Sequence, residues 1–307
     1  MTDTARRAFL GAWLALAALL PLDGALAETP APTLSPPLEQ LAELERRHGG
    51  RLGVAILDTA TGRRINHRGE ERFPMASTFK WLLVAQVLQR VDAGEESLDR
   101  RVVFPASDLV SYSPVTEQHA GEPGMTVAEL CEAAITWSDN TAANLLLATV
   151  GGPEGFTAFA RSLGDEWTRL DRIEPDLNEA TPGDPRDTTT PAAMLRDLHV
   201  VLLGDVLSTK SRDRLTDWLI ANRTGDDRLR AGLPGWRVGD KTGSGMHAAT
   251  NDLAIAWPAD GGAPLLVTVY YAEAEGATSA ERKAVIAEIG GILANMRSTA
   301  RANAPQS

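Results

Sequence analysis

Ser77 and Lys80 stand three residues apart in Pro74-Met75-Ala76-Ser77-Thr78-Phe79-Lys80, and an apolar run at helical spacing (Trp81, Leu82, Leu83, Val84, Val87, Leu88, Val91) begins at once. On a helix this spacing puts the hydroxyl and the amine on one face, one turn apart. A helix N-terminus also offers free backbone N–H groups and a dipole that favours negative charge. A serine there, with an amine beside it, has the makings of an activated nucleophile. The plainer alternative is an N-cap serine followed by a solvated lysine, and on this stretch alone that alternative is the stronger one.

Two further polar groups have the same double character. Ser138-Asp139-Asn140 opens a helix beginning at Thr141 and is a good capping cluster, yet it also presents a hydroxyl and an amide. Lys241-Thr242-Gly243-Ser244-Gly245 falls on an expected strand. Lysine and threonine in mid-strand beside two glycines suit a backbone that a ligand approaches closely, although a lysine protecting an edge strand reads the same way.

The elements that must position these residues follow from periodicity. A helix over residues 37–48 ends at Gly49-Gly50, and a hairpin follows with strands at 51–57 and 63–68. After the serine helix the chain is mostly helical, with helices at 126–137, 139–149, 153–163, 191–203 and about 209–221. Strands return at 236–244, 252–257 and 265–271, a helix at 279–296 closes the fold, and 300–307 is a frayed tail. The simplest packing is one antiparallel sheet built from both ends of the chain and covered by helices, with the middle helices as a second lobe. A cleft between lobes is a preferred ligand site. Residues 168–190, with Pro175, Pro182, Gly183 and Pro185, have no periodicity, and a loop this long inside a domain is usually functional.

Composition narrows the function classes. The chain has 307 residues, 43% hydrophobic and 23% charged, with a formal net charge of −11. That balance argues against general nucleic-acid binding and against a polybasic membrane-surface role. Residues 1–27 read as a secretory leader: Arg6-Arg7-Ala8-Phe9-Leu10, an apolar run over 12–20, then Ala25-Leu26-Ala27 before Glu28. The paired arginines look like a twin-arginine export signal, with a plain Sec signal as the competing reading. A proline-rich linker follows to residue 37. Cys131 is the only cysteine and sits on an amphipathic helix, where a buried, inert thiol is expected. The five histidines are scattered, without the ligand clusters a zinc hydrolase needs.

A Ser-x-x-Lys at a helix start, then Ser-Asp-Asn, then Lys-Thr-Gly on a late strand, in that order, resembles the penicillin-recognising serine enzymes. Ser111-Tyr112-Ser113-Pro114-Val115-Thr116-Glu117 and Thr136-Trp137-Ser138-Asp139-Asn140-Thr141-Ala142-Ala143-Asn144-Leu145 are both similar to class A β-lactamases, and the resemblance covers nearly all of the mature chain. The segment Arg172-Ile173-Glu174-Pro175-Asp176-Leu177-Asn178, followed by Arg186-Asp187-Thr188, resembles the class A Ω-loop.

The resemblance implies an α/β (α+β) fold: a five-stranded antiparallel sheet flanked by helices, an all-helical lobe, and the site in the cleft between them. Residues 28–307 would form a single catalytic unit, its α/β lobe about 34–68 and 222–300 and its helical lobe about 69–221. Ser77 would attack the lactam carbonyl, with the backbone N–H groups of Ser77 and Ser244 as oxyanion hole. Ser138 would pass a proton to the lactam nitrogen. Lys241, Thr242, Gly243 and Ser244 would bind the substrate carboxylate, Asn140 its side-chain amide, and Tyr112 would line the entrance. A carboxylate with a nearby amide can hold and deprotonate a water, so Glu174 and Asn178 would release the acyl-serine ester. Arg172 and Asp187 would pair across the loop's neck, and the Glu174–Pro175 bond would be cis.

One departure stands out. Where many members carry an arginine on the strand after Lys-Thr-Gly, this chain has Thr250, so the carboxylate-binding role passes to Arg228, with Arg230 as a structural rival. Ser244 resembles members that handle cephalosporins. Ala76 and Gly245 stand where serine carbapenemases carry a cysteine pair, so the resemblance implies hydrolysis of penicillins and cephalosporins rather than carbapenems. It implies no cofactor or metal, small-molecule β-lactams as partners with neither nucleic acid nor membrane after leader removal, a monomer, and a periplasmic or secreted location. A D-alanyl-D-alanine peptidase or transpeptidase would share Ser77, Lys80, Ser138 and Lys241, but Glu174 and Asn178 count against it. A non-catalytic penicillin-binding sensor would be expected to carry a membrane-spanning or signalling segment. The acylation base stays open between Lys80, made neutral by burial and a nearby Lys241, and Glu174 acting through a water.

Overall fold

Leu41 and Leu44 recur on one side of α1 (Pro36–His48), and Gly49 and Gly50, both at positive φ, turn the chain out of it. The computed structural model describes residues 36–302, and side chains to residue 296. The leader at 1–27, most of the proline-rich linker and the last residues of the tail lie outside the described residues. β1 (Arg51–Asp58) and β2 (Arg64–His67) form the expected hairpin. β3 (Phe73–Pro74) leads to a 3₁₀ turn, Ala76–Thr78, and then to α2 (Phe79–Asp92). β4 (Arg101–Val102), β5 (Met125–Thr126), α3 (Val127–Thr136), α4 (Asn140–Thr149) and α5 (Gly152–Ser162) follow. After the irregular loop come β6 (Thr188–Thr189), α6 (Pro191–Leu202), α7 (Thr209–Ile220), β7 (Arg237–Ser244), β8 (Thr250–Trp257), β9 (Leu265–Ala272) and α8 (Ser279–Ala302).

The main sheet is antiparallel, in the order β2-β1-β9-β8-β7, so β1 from one end of the chain lies in register beside β9 from the other. This is the expected five-stranded sheet, with β7 at an edge. Each face is covered. Val54, Val267 and Val269 pack with Leu41 and Leu44 of α1 and Ile286 and Ile289 of α8. On the other face Ala55, Leu57, Ile255, Leu266 and Tyr270 join one continuous cluster with α2, α3, α4 and α6. α6 falls in the range read as the helical lobe, yet Met194, Leu195 and Leu198 share this core with the sheet, and Thr268 Oγ1 donates to Pro191 O at 2.8 Å.

α2 is the hub. Every residue from Phe79 to Leu88 is buried, as expected of a helix apolar almost all round. Two of those residues are not apolar, Lys80 and Gln86, and a buried ammonium must find partners or lose its charge.

Candidate active site

Ser77 sits inside the 3₁₀ turn, just before α2, rather than capping that helix. Ala76 is held at φ 44°, a left-handed conformation unusual for alanine. Several contacts fix the turn. Thr78 Oγ1 donates to Met75 O (2.8 Å), Asn251 Nδ2 from β8 donates to Pro74 O (2.8 Å) and Met75 O (3.0 Å), and Met75 N donates to Asp187 O (2.9 Å). β7 lies directly against it: a Cβ on Gly243 would stand 2.8 Å from Met75 O and 3.2 Å from Thr78 N. Only a glycine lets the two backbones approach this closely.

Lys80 is wholly buried and its Nζ is surrounded by acceptors: Asn140 Oδ1 at 2.6 Å, Ser138 O at 2.7 Å and Glu174 Oε1 at 2.9 Å. The same Glu174 Oε1 accepts from Ser77 Oγ at 3.3 Å. Burial pulls the Lys80 ammonium below the ordinary lysine range, and the Glu174 carboxylate opposes that pull. Lys241, also wholly buried, donates to Ser138 Oγ (2.9 Å) and Thr242 O (2.9 Å). Its proton affinity falls well below the ordinary range, through burial first and then through the charge of Lys80. The expected competition between the ammoniums therefore acts on Lys241, with burial the larger cause at both amines.

α4 presents Asn140 at its first turn, and the Asn140 Nδ2 donates to Ser111 O at 2.8 Å. Tyr112, 60% exposed and at φ 63°, stands at the cleft mouth and accepts from Asn140 N (3.0 Å) through its carbonyl.

Glu174 is held from beneath. Asn144, one turn beyond Asn140 on α4, accepts from Glu174 N (2.9 Å) and donates to Glu174 O (2.9 Å). Asn178 Nδ2 donates to Glu174 Oε2, while Asn178 Oδ1 is buried with no donor from the protein. The Glu174–Pro175 bond is cis. At the neck of the loop Asp187 accepts from Arg172 Nε (2.6 Å), Asp171 N (2.8 Å) and Arg172 N (3.0 Å).

At the other end of the cleft, Arg228 Nη1 donates to Gly243 O (2.8 Å) and Arg228 Nη2 to Ser244 Oγ (2.8 Å). Burial lowers its proton affinity. Arg230 points elsewhere, to Asp240 and to the carbonyls of Leu219, Ile220 and Asn222. Thr250, at the departed position, is buried and accepts from Arg282 Nε at 3.0 Å. A cleft of about 660 Å³ is lined by Ser77, Ser138, Asn140, Asn178, Thr242, Gly243, Ser244 and Arg228, among others. Beyond Asn178 and Ser244 a more open depression of about 770 Å³ reaches Gly245 and the exposed Met246. All the expected residues therefore converge on one cleft except Lys80, Glu174 and Lys241, which are buried beneath it, and the neck pair Arg172–Asp187, which braces the loop.

Four contributors escape a reading of the sequence. Asn144 appears in a motif but gives no sign that a distant loop returns over it. Asp139 is more than a cap: besides Ala142 N (2.8 Å) it accepts from Val115 N (2.9 Å), Thr116 N (3.0 Å) and Thr116 Oγ1 (2.8 Å), tying down the segment that carries Tyr112. Asn251 binds the serine turn from β8, and Thr224 pairs its hydroxyl with that of Thr242 at 2.5 Å. A polar residue in the buried strand β8 was the one available signal for Asn251.

Comparison with known proteins agrees with this geometry. The model of the Beta-lactamase enzyme family matches residues 36–296. The chain is 51% identical over 298 residues to β-lactamase L2 of Stenotrophomonas maltophilia, covering 94% of this chain and 97% of that one. It is 54% identical over 237 residues to β-lactamase AST-1 of Nocardia asteroides, covering 77% and 76%. Among solved structures, an ancestral (GNCA) class A β-lactamase superposes with a TM-score of 0.83 at 67% identity, over 85% of this chain and 99% of that one.

Proposed function

Because the chain belongs to the class A serine β-lactamases and hydrolyses β-lactams, we propose that it does so through an ester on Ser77, with Glu174 as the base. The observation that carries this reading is the convergence of Ser77 Oγ (3.3 Å) and Lys80 Nζ (2.9 Å) on one oxygen of Glu174. Ser77 Oγ attacks the lactam carbonyl carbon and gives its proton to Glu174. The oxyanion meets the backbone N–H groups of Ser77 and Ser244, each worth about 10²–10³-fold in rate. As the C–N bond breaks, Ser138 Oγ, held by Lys241, protonates the departing nitrogen. Lys241, which donates to Ser138 Oγ at 2.9 Å, returns a proton to that hydroxyl; Glu174 gives up the proton it took from Ser77 to water in the cleft, which reprotonates Lys241, and the Lys80 ammonium at 2.9 Å favours the ionised Glu174. In the second step Glu174 takes a proton from a water that also donates to Asn178 Oδ1; hydroxide attacks the ester and Ser77 leaves with its proton restored.

The substrate carboxylate lies on Lys241, Thr242 and Ser244, with Arg228 behind Ser244. The acyl side chain meets Asn140 and extends past Ser244 toward Met246. Penicillins and cephalosporins fit this arrangement. The peptidase alternative has no use for a buried carboxylate and an amide beneath the serine. Among the described residues no helix is long and apolar enough to cross a membrane. The reading has the leader at 1–27 exporting the protein, by the twin-arginine route, to act as a monomer.

Purified protein should hydrolyse nitrocefin with many turnovers per molecule. Glu174→Ala should still acylate slowly but fail to release, with general base help worth about 10²–10⁴-fold. Intact mass after brief exposure to a penicillin should show a persisting adduct, and rapid clearance of that adduct would remove Glu174 from its role.

A further inference from the structure

At the entrance to the loop that carries Glu174, the carboxyl groups of Asp165 and Asp197 are buried within hydrogen-bonding reach of each other. Asp165 lies just after α5 and Asp197 lies within α6, and neither exposes any surface. Asp165 Oδ1 accepts from the backbone N–H groups of Trp167 (2.7 Å) and Thr168 (3.0 Å), at the entrance to the loop. Asp165 Oδ2 and both carboxyl oxygens of Asp197 receive no donor hydrogen. α6 is tied to the same corner by Arg196, whose guanidinium donates to Gly164 O.

Three buried oxygens without donors are a heavy cost if both groups are ionised, and two adjacent carboxylates relieve it by holding one proton between them. We propose that Asp165 and Asp197 share a single proton, and that this proton fastens the loop entrance to α6 and so positions Glu174. The inference rests on the reading of Glu174 as the base of deacylation.

The surroundings fit. The groups facing the pair are Arg161 of α5, Arg196 of α6, Arg72 ahead of β3 and the Tyr270 phenol of β9. The arginines direct their hydrogen bonds elsewhere: Arg161 to Asp165 O (2.6 Å) and Thr168 O (2.7 Å), Arg72 to Trp167 O (2.8 Å) and Thr188 Oγ1 (3.0 Å). Burial, and next the charge of Asp165, hold the Asp197 carboxyl well above the usual range. An acid whose proton is held more tightly in the folded chain loses stability as pH rises from its ordinary value toward the raised one. Above that value both groups are charged, they repel, and the entrance of the loop loosens.

The test uses the full protein and Asp197→Asn, whose amide places an N–H donor where the shared proton would be. Relative to Asp197→Asn, the wild type should lose melting temperature and single-turnover deacylation rate as pH rises, the rate by up to about tenfold per pH unit above the pair's titration. The difference between the two proteins should be smallest at low pH and grow as the shared proton is lost. Subtracting the variant's profile removes the titration of Lys80 and Lys241, common to both proteins. A protonated-carboxyl stretch in the infrared spectrum of the wild type at neutral pH should disappear in the variant, and Asp197→Ser serves where Asn does not fold. Parallel pH profiles of melting temperature, or an unchanged infrared band, would overturn the shared proton. A flattened melting profile with unchanged deacylation would keep the proton but overturn its link to Glu174. Failure of Glu174→Ala to trap an adduct would instead overturn the deacylation reading and leave the melting and infrared results standing.

Discussion

Lys241 shows what this site asks of single residues. Its amine is wholly buried, donates to Ser138 Oγ and Thr242 O, and lies near a second buried amine. Folding weakens its hold on a proton, so the folded state is penalised where the unfolded chain still carries the charge. This contribution to stability therefore rises with pH from the lowered value up to the ordinary lysine value of 10.5. Lys241→Met should lack that rise, because no charge remains to be buried, while Ser138 loses the group that orients it. We expect melting temperature to climb less steeply in the variant than in the wild type as pH rises toward the ordinary lysine value of 10.5. Its kcat/KM for a penicillin should fall by about 10²-fold or more. Equal slopes in the two proteins would show that Lys241 is not desolvated as described. Lys241 and its partners were legible because three short motifs, each ambiguous alone, occur in one order. Asn144 was not, because an asparagine in the first turns of α4 carries no mark of the loop that folding lays across it.

At the scale of elements, the loop from 171 to 187 holds Glu174 in place with little regular structure of its own, a 3₁₀ turn at Asp176–Asn178 before β6 begins at Thr188. Its shape depends on its ends. Asp187, 1% exposed, gathers two backbone N–H groups and the Arg172 guanidinium. Asp187→Ala would leave the Asp171 and Arg172 backbone N–H groups without their acceptor and take from the Arg172 guanidinium one of its two carboxylate partners, Glu179 remaining; an unsatisfied buried donor costs about 1–3 kcal/mol. We expect urea unfolding to register most of that loss, and acyl-enzyme to accumulate on penicillin because Glu174 and Asn178 lose their register. An Asp187→Ala protein that clears its ester at the wild-type rate would mean that the loop's other ties, Asn144 to Glu174 and Met246 N to Asn178 O, suffice to hold it. The sequence marked this loop by its lack of periodicity and marked the longer strands and helices to within about two residues, except the end of α8, which was read to stop at 296 ahead of a frayed tail yet continues to Ala302, where the polar sequence shows no apolar stripe. It could not mark the 3₁₀ turn at Ser77, because the apolar pattern of α2 runs straight through the boundary, nor the two-residue ladders β3–β6 and β4–β5, which are shorter than any period.

For the whole molecule, the question is whether sheet and helices stand or fall together. The reading of two lobes came from chain order, with strands at the ends and helices between. The packing joins them, since Leu266 and Tyr270 of β9 belong to the same buried cluster as Trp81 of α2, Leu146 of α4 and Leu198 of α6. The cleft itself spans the join, with Ser77 on the hub helix side and Lys241 on the edge strand. Chains of this length often unfold through intermediates, so coincidence of probes here would be informative. Because one core serves both halves, tryptophan fluorescence, far-UV circular dichroism and nitrocefin turnover should be lost at one urea concentration. Leu266→Ala, which cuts into that core from the sheet side, should lower stability by about 2–5 kcal/mol and move all three curves by the same amount. Had each lobe its own core, the variant would shift the sheet's transition and leave the helices behind, and nitrocefin turnover, which needs Lys241 of β7, would be lost before the helical dichroism. A separation of the curves in Leu266→Ala would therefore show that the cluster does not couple the two halves. A common shift would mean that the geometry joining Ser77 to Lys241 is maintained by the stability of the whole fold.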